Sequence, residues 1–159
     1  MTDLSRVPAA TISPLASVEE ANQSMILRGV RLLLVVSESS RIVGVITSTD
    51  TLGEKPMVTA QSRSVRRSDL TVADIMVPVS NVEAMSIEDV RRSSVGDIAL
   101  TLQNAGRAHA LVVSANAQGA LSLVGIFSVS QIARQLGIPI QTHERARTFA
   151  EVEALIASA

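Results

Sequence analysis

An α/β (α+β) fold made of two copies of one small unit, each a short sheet with flanking helices, is what this sequence predicts, with a further helix at its C-terminus. Three observations carry that expectation. The tetrapeptide Leu34-Val35-Val36-Ser37 recurs unchanged as Leu111-Val112-Val113-Ser114. A Gly-apolar-apolar-hydroxyl element follows each copy, as Gly44-Val45-Ile46-Thr47 and as Gly125-Ile126-Phe127-Ser128. A helical pattern of matching length precedes each copy, Val18 to Gly29 and Val95 to Gly106. Self-similarity of this kind fixes an architecture before any single motif is read.

Within the first unit, Ala9 to Pro14 reads as a short extended piece ended by proline. Ser17 stands three residues before Glu20, the spacing at which hydroxyl and carboxylate reciprocally satisfy the first-turn backbone donors of a helix. Val18, Ala21, Met25 and Ile26 then fall near one face, and Gly29 suits the left-handed position beyond the helix end. Val30 to Val36 reads as a buried strand, Ser37 to Ser40 as a turn and Arg41 to Thr47 as the hairpin partner.

The second unit follows the same script. Ser94 precedes Asp97 by three, Val95, Ile98, Leu102 and Ala105 share a face, and Gly106 ends the helix. Ala108 to Val113 and Leu121 to Ser128 form its hairpin, with a longer loop between them. Gly53 to Leu70 is polar and carries Arg63, Arg66 and Arg67, which predicts a surface linker of partly irregular structure. Thr71 and Asp74 have capping-box spacing and open a short helix that Pro78 terminates. In the tail, Thr148 and Glu151 repeat that spacing while Phe149, Val152 and Leu155 fall at helical intervals. Such a helix docks on its own core or a sister subunit, or recruits another protein. The resulting boundaries are a first repeat over 7–55, a linker over 56–70, a second repeat over 71–137 and a tail over 138–159.

Composition excludes several classes of function. The chain has 159 residues, 47% of them apolar, but only two aromatic residues, both Phe. At this length about 70% of the unfolded chain's surface can be buried, so neither disulfide nor metal is needed to hold the fold. There are no cysteines, which removes disulfide scaffolds and thiolate metal or redox sites. The N-terminal residues lack a signal-peptide apolar run, and the run Leu32 to Val36 is far too short to cross a bilayer, so a cytoplasmic protein without membrane association is expected. A net charge of −1 supplies no field for nucleic acid, and the pair Arg91-Arg92 lacks aromatic stacking partners. His109 and His143 have no metal-ligand spacing, the glycines are scattered rather than gathered in a phosphate loop, and no catalytic constellation is visible. The expected role is not enzymatic, and no cofactor is required.

Gly44-Val45-Ile46-Thr47-Ser48-Thr49-Asp50 is similar to the Gly-h-h-Thr-x-x-Asp signature of the cystathionine-β-synthase (CBS) domain, where h is apolar. Asp74-Ile75-Met76-Val77-Pro78 resembles the lead-in to a CBS repeat, and Leu32 to Val36 occupies the place of the family's Leu-Pro-Val-Val strand, with Leu34 for the proline. In order and duplication, from about residue 7 to residue 137, these pieces resemble a tandem CBS pair, or Bateman module. The resemblance implies two halves related by a pseudo-two-fold and packed through their sheets. It further implies a homodimer of pairs, and a cleft between the halves for an adenine nucleotide or related ligand.

Thr47 and Asp50 are the centre of the expected site. A hydroxyl at a strand end can donate to a phosphate oxygen, and a carboxylate three residues later can accept ribose hydroxyl protons. Asp50 also has a wholly structural reading as a helix cap. In the second copy the matching positions are Ser128 and Gln131, so a weaker or empty site is expected there. Family analogy places the base of the ligand between Ala10-Thr11-Ile12 and Leu32-Leu33, residues that are equally explained as core. His109 matches Leu32, as a half-buried strand residue or a ligand contact. Arg31, Arg134 and the linker arginines are the candidate phosphate partners. The expected function is thus a stand-alone regulatory module. It would bind AMP, ADP, ATP or S-adenosylmethionine and signal to a separate effector protein. The alternative is a ligand-independent dimerisation scaffold with a vestigial cleft.

Overall fold

The computed structural model describes residues 1–82, 84–115 and 121–137. The expected tail helix and the loop of the second hairpin lie outside these residues. In chain order the elements of the first half are β1 (Thr2–Asp3), β2 (Thr11–Ile12), α1 (Val18–Arg28), β3 (Leu32–Val36), β4 (Ile42–Thr47), α2 (Ser48–Leu52), α3 (Lys55–Arg63) and α4 (Val72–Ile75). Those of the second half are β5 (Val77–Pro78), β6 (Ala84–Ser86), α5 (Ile87–Arg92), α6 (Val95–Asn104), β7 (His109–Ala115), β8 (Leu121–Ser128) and α7 (Val129–Leu136).

Two four-stranded sheets result, with orders β2-β3-β4-β5 and β6-β7-β8-β1. Each begins with a parallel pair, continues through an antiparallel hairpin and ends on a short antiparallel edge strand. Even the register irregularity repeats, between Val35 and Val36 in one hairpin and between Val112 and Val113 in the other. The edge strands are exchanged. β5, which leads into the second repeat, completes the first sheet, and β1, which leads into the first, completes the second. Glycine permits both close approaches. A Cβ on Gly44 would stand 2.6 Å from the carbonyl oxygen of Val77, and one on Gly125 would stand 2.5 Å from Sδ of Met1.

Capping signals fold as read. Glu20 accepts from the Ser17 N–H at 2.7 Å while the Glu20 N–H donates to Oγ of Ser17, and Ser94 and Asp97 make the same exchange. The carboxylate of Asp74 accepts from the Thr71 N–H and is paired with Arg63. These bonds hold the carboxyls of Glu20, Asp97 and Asp74 below their ordinary range. Gly29 and Gly106 both have φ of 63° at their helix ends.

Each repeat encloses its own core, around Met25, Leu33, Val35, Ile46 and Ile75 in the first and around Ile98, Leu102, Val112, Phe127 and Ile132 in the second. A third cluster, Leu32, Leu34, Val45 and Leu111 with Val77, Leu123 and Ile126 against it, joins the facing sheets. Period-2 alternation of the strand side chains creates this arrangement: one face of each sheet meets its helices and the other meets the opposite sheet.

The segment read as a linker is different. It contains α3, with Pro56 in its first turn and Pro56 and Ala60 buried, followed by a short 3-10 turn from Arg67 to Asp69 and the buried Leu70. α3 packs on α2 and α4, so this stretch belongs to the body of the first repeat. Its helical character is hidden in the sequence because its buried face is only these two small residues.

Candidate functional site

Two cavities lie between the repeats, one of about 520 Å³ beside α2 and one of about 270 Å³ beside α7. In each, the polar rim comes from the start of one repeat's last hairpin helix, and the wall opposite comes from the other repeat.

Thr47 ends β4 and caps α2, which places Asp50 in the first helical turn. Oδ2 of Asp50 accepts from the Thr47 N–H at 3.0 Å and from Thr47 Oγ1 at 2.7 Å, while the Asp50 N–H donates to Thr47 Oγ1 at 3.3 Å. Oδ1 accepts from Nζ of Lys55 at 3.0 Å. A carboxylate offers about four acceptor positions. Three are filled here, and the remaining one is on Oδ1. The Asp50 side chain keeps 15% of its surface exposed and lines the larger cavity. The capping role of Asp50 is therefore realised, and it coexists with exposure to the cleft.

Facing Thr47 and Asp50 across this cavity are Val82, Ala84, Met85, Arg107, His109 and Ala110, from the second repeat and the segment before it. The residues expected to flank a base are distributed between the two cavities and the first core. Ala10 lines the smaller cavity, beside Ser128 and Gln131, and Leu32 lines both. Thr11, Ile12 and Leu33 line neither: Thr11 is exposed on β2, Ile12 packs on the first core and Leu33 is fully buried within it. The reason is the face-to-face packing of the sheets, which turns each cleft's polar helix toward the strands of the other repeat. Ala84 and Met85 occupy the register positions in the second sheet that Thr11 and Ile12 occupy in the first. Carrying the repeat equivalence across the pair, rather than within one copy, identifies them.

The smaller cavity is built differently. Ser128 caps α7 without bonding a first-turn N–H, and its Oγ instead shares a 2.9 Å hydrogen bond with Oγ of Ser130. Gln131, in the position of Asp50, accepts from Thr2 Oγ1 at 3.0 Å. Arg31 and Arg134 line this cavity, as does His109. The linker arginines line neither cavity. Arg63 pairs with Asp74, Arg66 with Asp69, and Arg67 donates to the Thr51 carbonyl. Arg107 is the cationic residue of the larger cavity that sequence reading missed.

His109 stands on the boundary of both cavities, opposite Ser128 in the hairpin, as Leu32 stands opposite Thr47. Burial, with help from the charge of Arg31 and against the pull of Asp50, lowers its pKa to about 4. The imidazole is neutral at physiological pH. Among the described residues no group of three or more His, Cys, Asp or Glu is placed to hold a metal ion, and no helix is long and apolar enough to cross a membrane.

Comparison with known proteins bears on the fold. The model of the CBS domain matches residues 1–55, and the sheet and hairpin of that half recur in the second. The chain has the fold of a tandem CBS-domain protein. CBS-pair structures resemble it over most of their length. CBSX2 from Arabidopsis thaliana, solved in complex with AMP, is 23% identical, covering 86% of this chain and 91% of its own with a TM-score of 0.58. The CBS domain pair of protein MJ0100, solved with 5′-methylthioadenosine and S-adenosyl-L-methionine, is 23% identical over 82% of this chain and 90% of its own, with a TM-score of 0.55. A conserved protein from Pyrococcus horikoshii is 19% identical, with coverages of 88% and 96% and a TM-score of 0.58. No match was found among curated proteins. In this chain, then, the two clefts between the repeats share one framework and differ in the chemistry of their rims.

Proposed function

We propose that this CBS pair is a regulatory module that takes an adenosine-containing ligand (AMP, ADP, ATP or S-adenosylmethionine) in the cleft bearing Thr47 and Asp50. The observation that carries this reading is the Asp50 carboxylate at the start of α2, partly exposed to a cavity of about 520 Å³ whose opposite wall joins apolar Val82, Ala84, Met85 and Ala110 to Arg107 and His109. Ligand pockets are typically 300–1,000 Å³, mostly apolar with a few fixed polar groups. A ribose hydroxyl takes the remaining acceptor position on Oδ1, and the base lies against Ala84, Met85 and Ala110. Co-crystallised AMP in CBSX2, and methylthioadenosine and S-adenosylmethionine in the MJ0100 pair, support the ligand class. Ligand binding acts by its different affinity for two arrangements of the halves, and the signal passes to a separate partner protein. The apolar residues Ile26 and Leu27, 70% and 86% exposed on α1, support a homodimer built on that helix face.

The Lys55–Asp50 ion pair favours a second reading, in which the carboxylate is already satisfied and the module only dimerises. A thermal-shift panel of AMP, ADP, ATP, S-adenosylmethionine and adenosine separates the two. A ligand at about 100 times its Kd adds roughly 2.7 kcal/mol, a rise of about 5–10 °C for a chain of this size. A rise with one of these ligands, absent in Asp50→Ala, supports the regulatory module. No rise with any at millimolar concentration leaves the scaffold.

A further inference from the structure

We infer that the smaller cleft, beside α7, is an oxyanion site that recognises the phosphate group of its ligand and makes no use of a ribose. The inference rests on the reading of the inter-repeat clefts as ligand sites, and it assigns this one a chemistry opposite to that of its twin. Among the described residues two arginines, Arg134 and Arg31 (whose Nε donates to Ser48 Oγ at 3.2 Å), line the cavity, and no carboxylate does. Its other polar lining is Thr2, Ser128, Ser130, Gln131 and the neutral imidazole of His109.

The amide of Gln131 is oriented by the N-terminal strand. Its Oε1 accepts from Thr2 Oγ1, which leaves the two N–H donors of the amide for a further partner. Gln131 keeps one uncharged acceptor position on Oε1, where Asp50 presents a carboxylate to the larger cleft. Arg134 has no hydrogen-bond or ion-pair partner among the described residues. In α2 the chain's own carboxylate occupies the helix start, whereas α7 has no side-chain cap. An exogenous oxyanion supplies the charge that Asp50 supplies in the other repeat. At about 270 Å³ the cavity is smaller than most nucleoside-sized sites and suits a group the size of a diphosphate.

Isothermal titration of the intact chain with inorganic pyrophosphate, and separately with adenosine, tests this. One equivalent of pyrophosphate is expected to bind the wild type. Its affinity should fall at least 10-fold in Arg134→Gln, an exposed position whose melting temperature should not move. It should fall likewise in Gln131→Asp, which restores a capping carboxylate and so keeps the helix while repelling the anion. Asp50→Ala should leave pyrophosphate binding intact. No binding at 10 mM pyrophosphate, or binding undiminished in both Arg134→Gln and Gln131→Asp, overturns the assignment. ADP titrated into Asp50→Ala tells a free oxyanion from a nucleotide-borne one: in both cases the Arg134→Gln effect must persist, and its absence refutes the site. Failure of AMP, ADP, ATP, S-adenosylmethionine and adenosine alike to bind in an Asp50-dependent way, while pyrophosphate behaves as stated, would defeat the proposed function alone, and the reverse pattern would defeat only this inference.

Discussion

Replacing His109 by leucine should remove an acid sensitivity that the wild-type fold carries at the boundary of its two clefts. The substitution copies the other repeat, where Leu32 occupies the matching position and is buried. His109 has its pKa lowered from 6.5 to about 4, first by burial and then by the charge of Arg31, with Asp50 opposing. The sign follows from linkage. Between about pH 6.5 and pH 4 the unfolded chain binds a proton that the native chain refuses, so stability is full above the unfolded value and is lost as pH falls toward 4. A gap of about 2.5 pH units at 1.36 kcal/mol each bounds the loss at about 3 kcal/mol, or roughly 6–12 °C in melting temperature. Carboxyls held low by hydrogen bonds, such as Asp74 and Asp97, lose their contribution only below their ordinary value of 3.8, outside this window. Urea denaturation at pH 7.5, 6.0, 5.0 and 4.5 should therefore show the wild type losing stability relative to His109→Leu by about one to three kcal/mol, most of it by pH 5. Parallel stability curves for the two chains would refute the reasoning, because they would mean the imidazole charges as readily in the fold as outside it.

Four further outcomes are expected. Asp50→Ala should lower stability by about 1–2 kcal/mol through loss of the α2 capping box, and Asp50→Asn by less, while calorimetry with adenosine shows binding lost or weakened in both. Gly44→Ala should cost about 2–3 kcal/mol in chemical denaturation, because its Cβ would press on the Val77 backbone and lift β5 from the sheet. Gly125→Ala should cost under about 1 kcal/mol, since there the neighbour is the flexible end of Met1. Leu33→Ala should destabilise by about 2–5 kcal/mol without changing the affinity for adenosine, as a buried residue of the first core that lines neither cavity.

Elements with a local signature were legible in the sequence. Ser17 with Glu20, Ser94 with Asp97, and the glycines at 29 and 106 state their helix ends in side-chain chemistry, and the duplicated hairpins declare themselves by repetition. Pairings between distant segments were not legible. β1 is two residues long and joins β8 more than a hundred residues away, so no periodicity announces it. The rim residues Thr47, Asp50, Ser128 and Gln131 follow from the repeat, whereas the walls depend on how two sheets face each other. That is why Ala10 was assigned beside Asp50 and is found beside Gln131, while Leu32 lines both cavities.

The difference between the clefts reduces to one atom type at one position. At α2 a carboxylate closes the helix start, pairs with Lys55 and offers an acceptor to the cavity. At α7 an amide stands in its place and gives its oxygen to Thr2, while arginines 31 and 134 line the space beyond. Duplication supplies two equivalent frameworks, and the framework itself tolerates either residue because the position lies on the rim and outside both repeat cores. The two cavities are not independent, since Leu32 and His109 line both. A ligand that moves this shared wall on one side changes the fit on the other, and any such coupling must be reciprocal. Titrating adenosine with and without saturating pyrophosphate, and pyrophosphate with and without adenosine, should give the same ratio of affinities in both orders. A ratio of one in wild type would place the wall as a rigid divider, and a ratio other than one that vanishes in His109→Leu would place the coupling in that side chain.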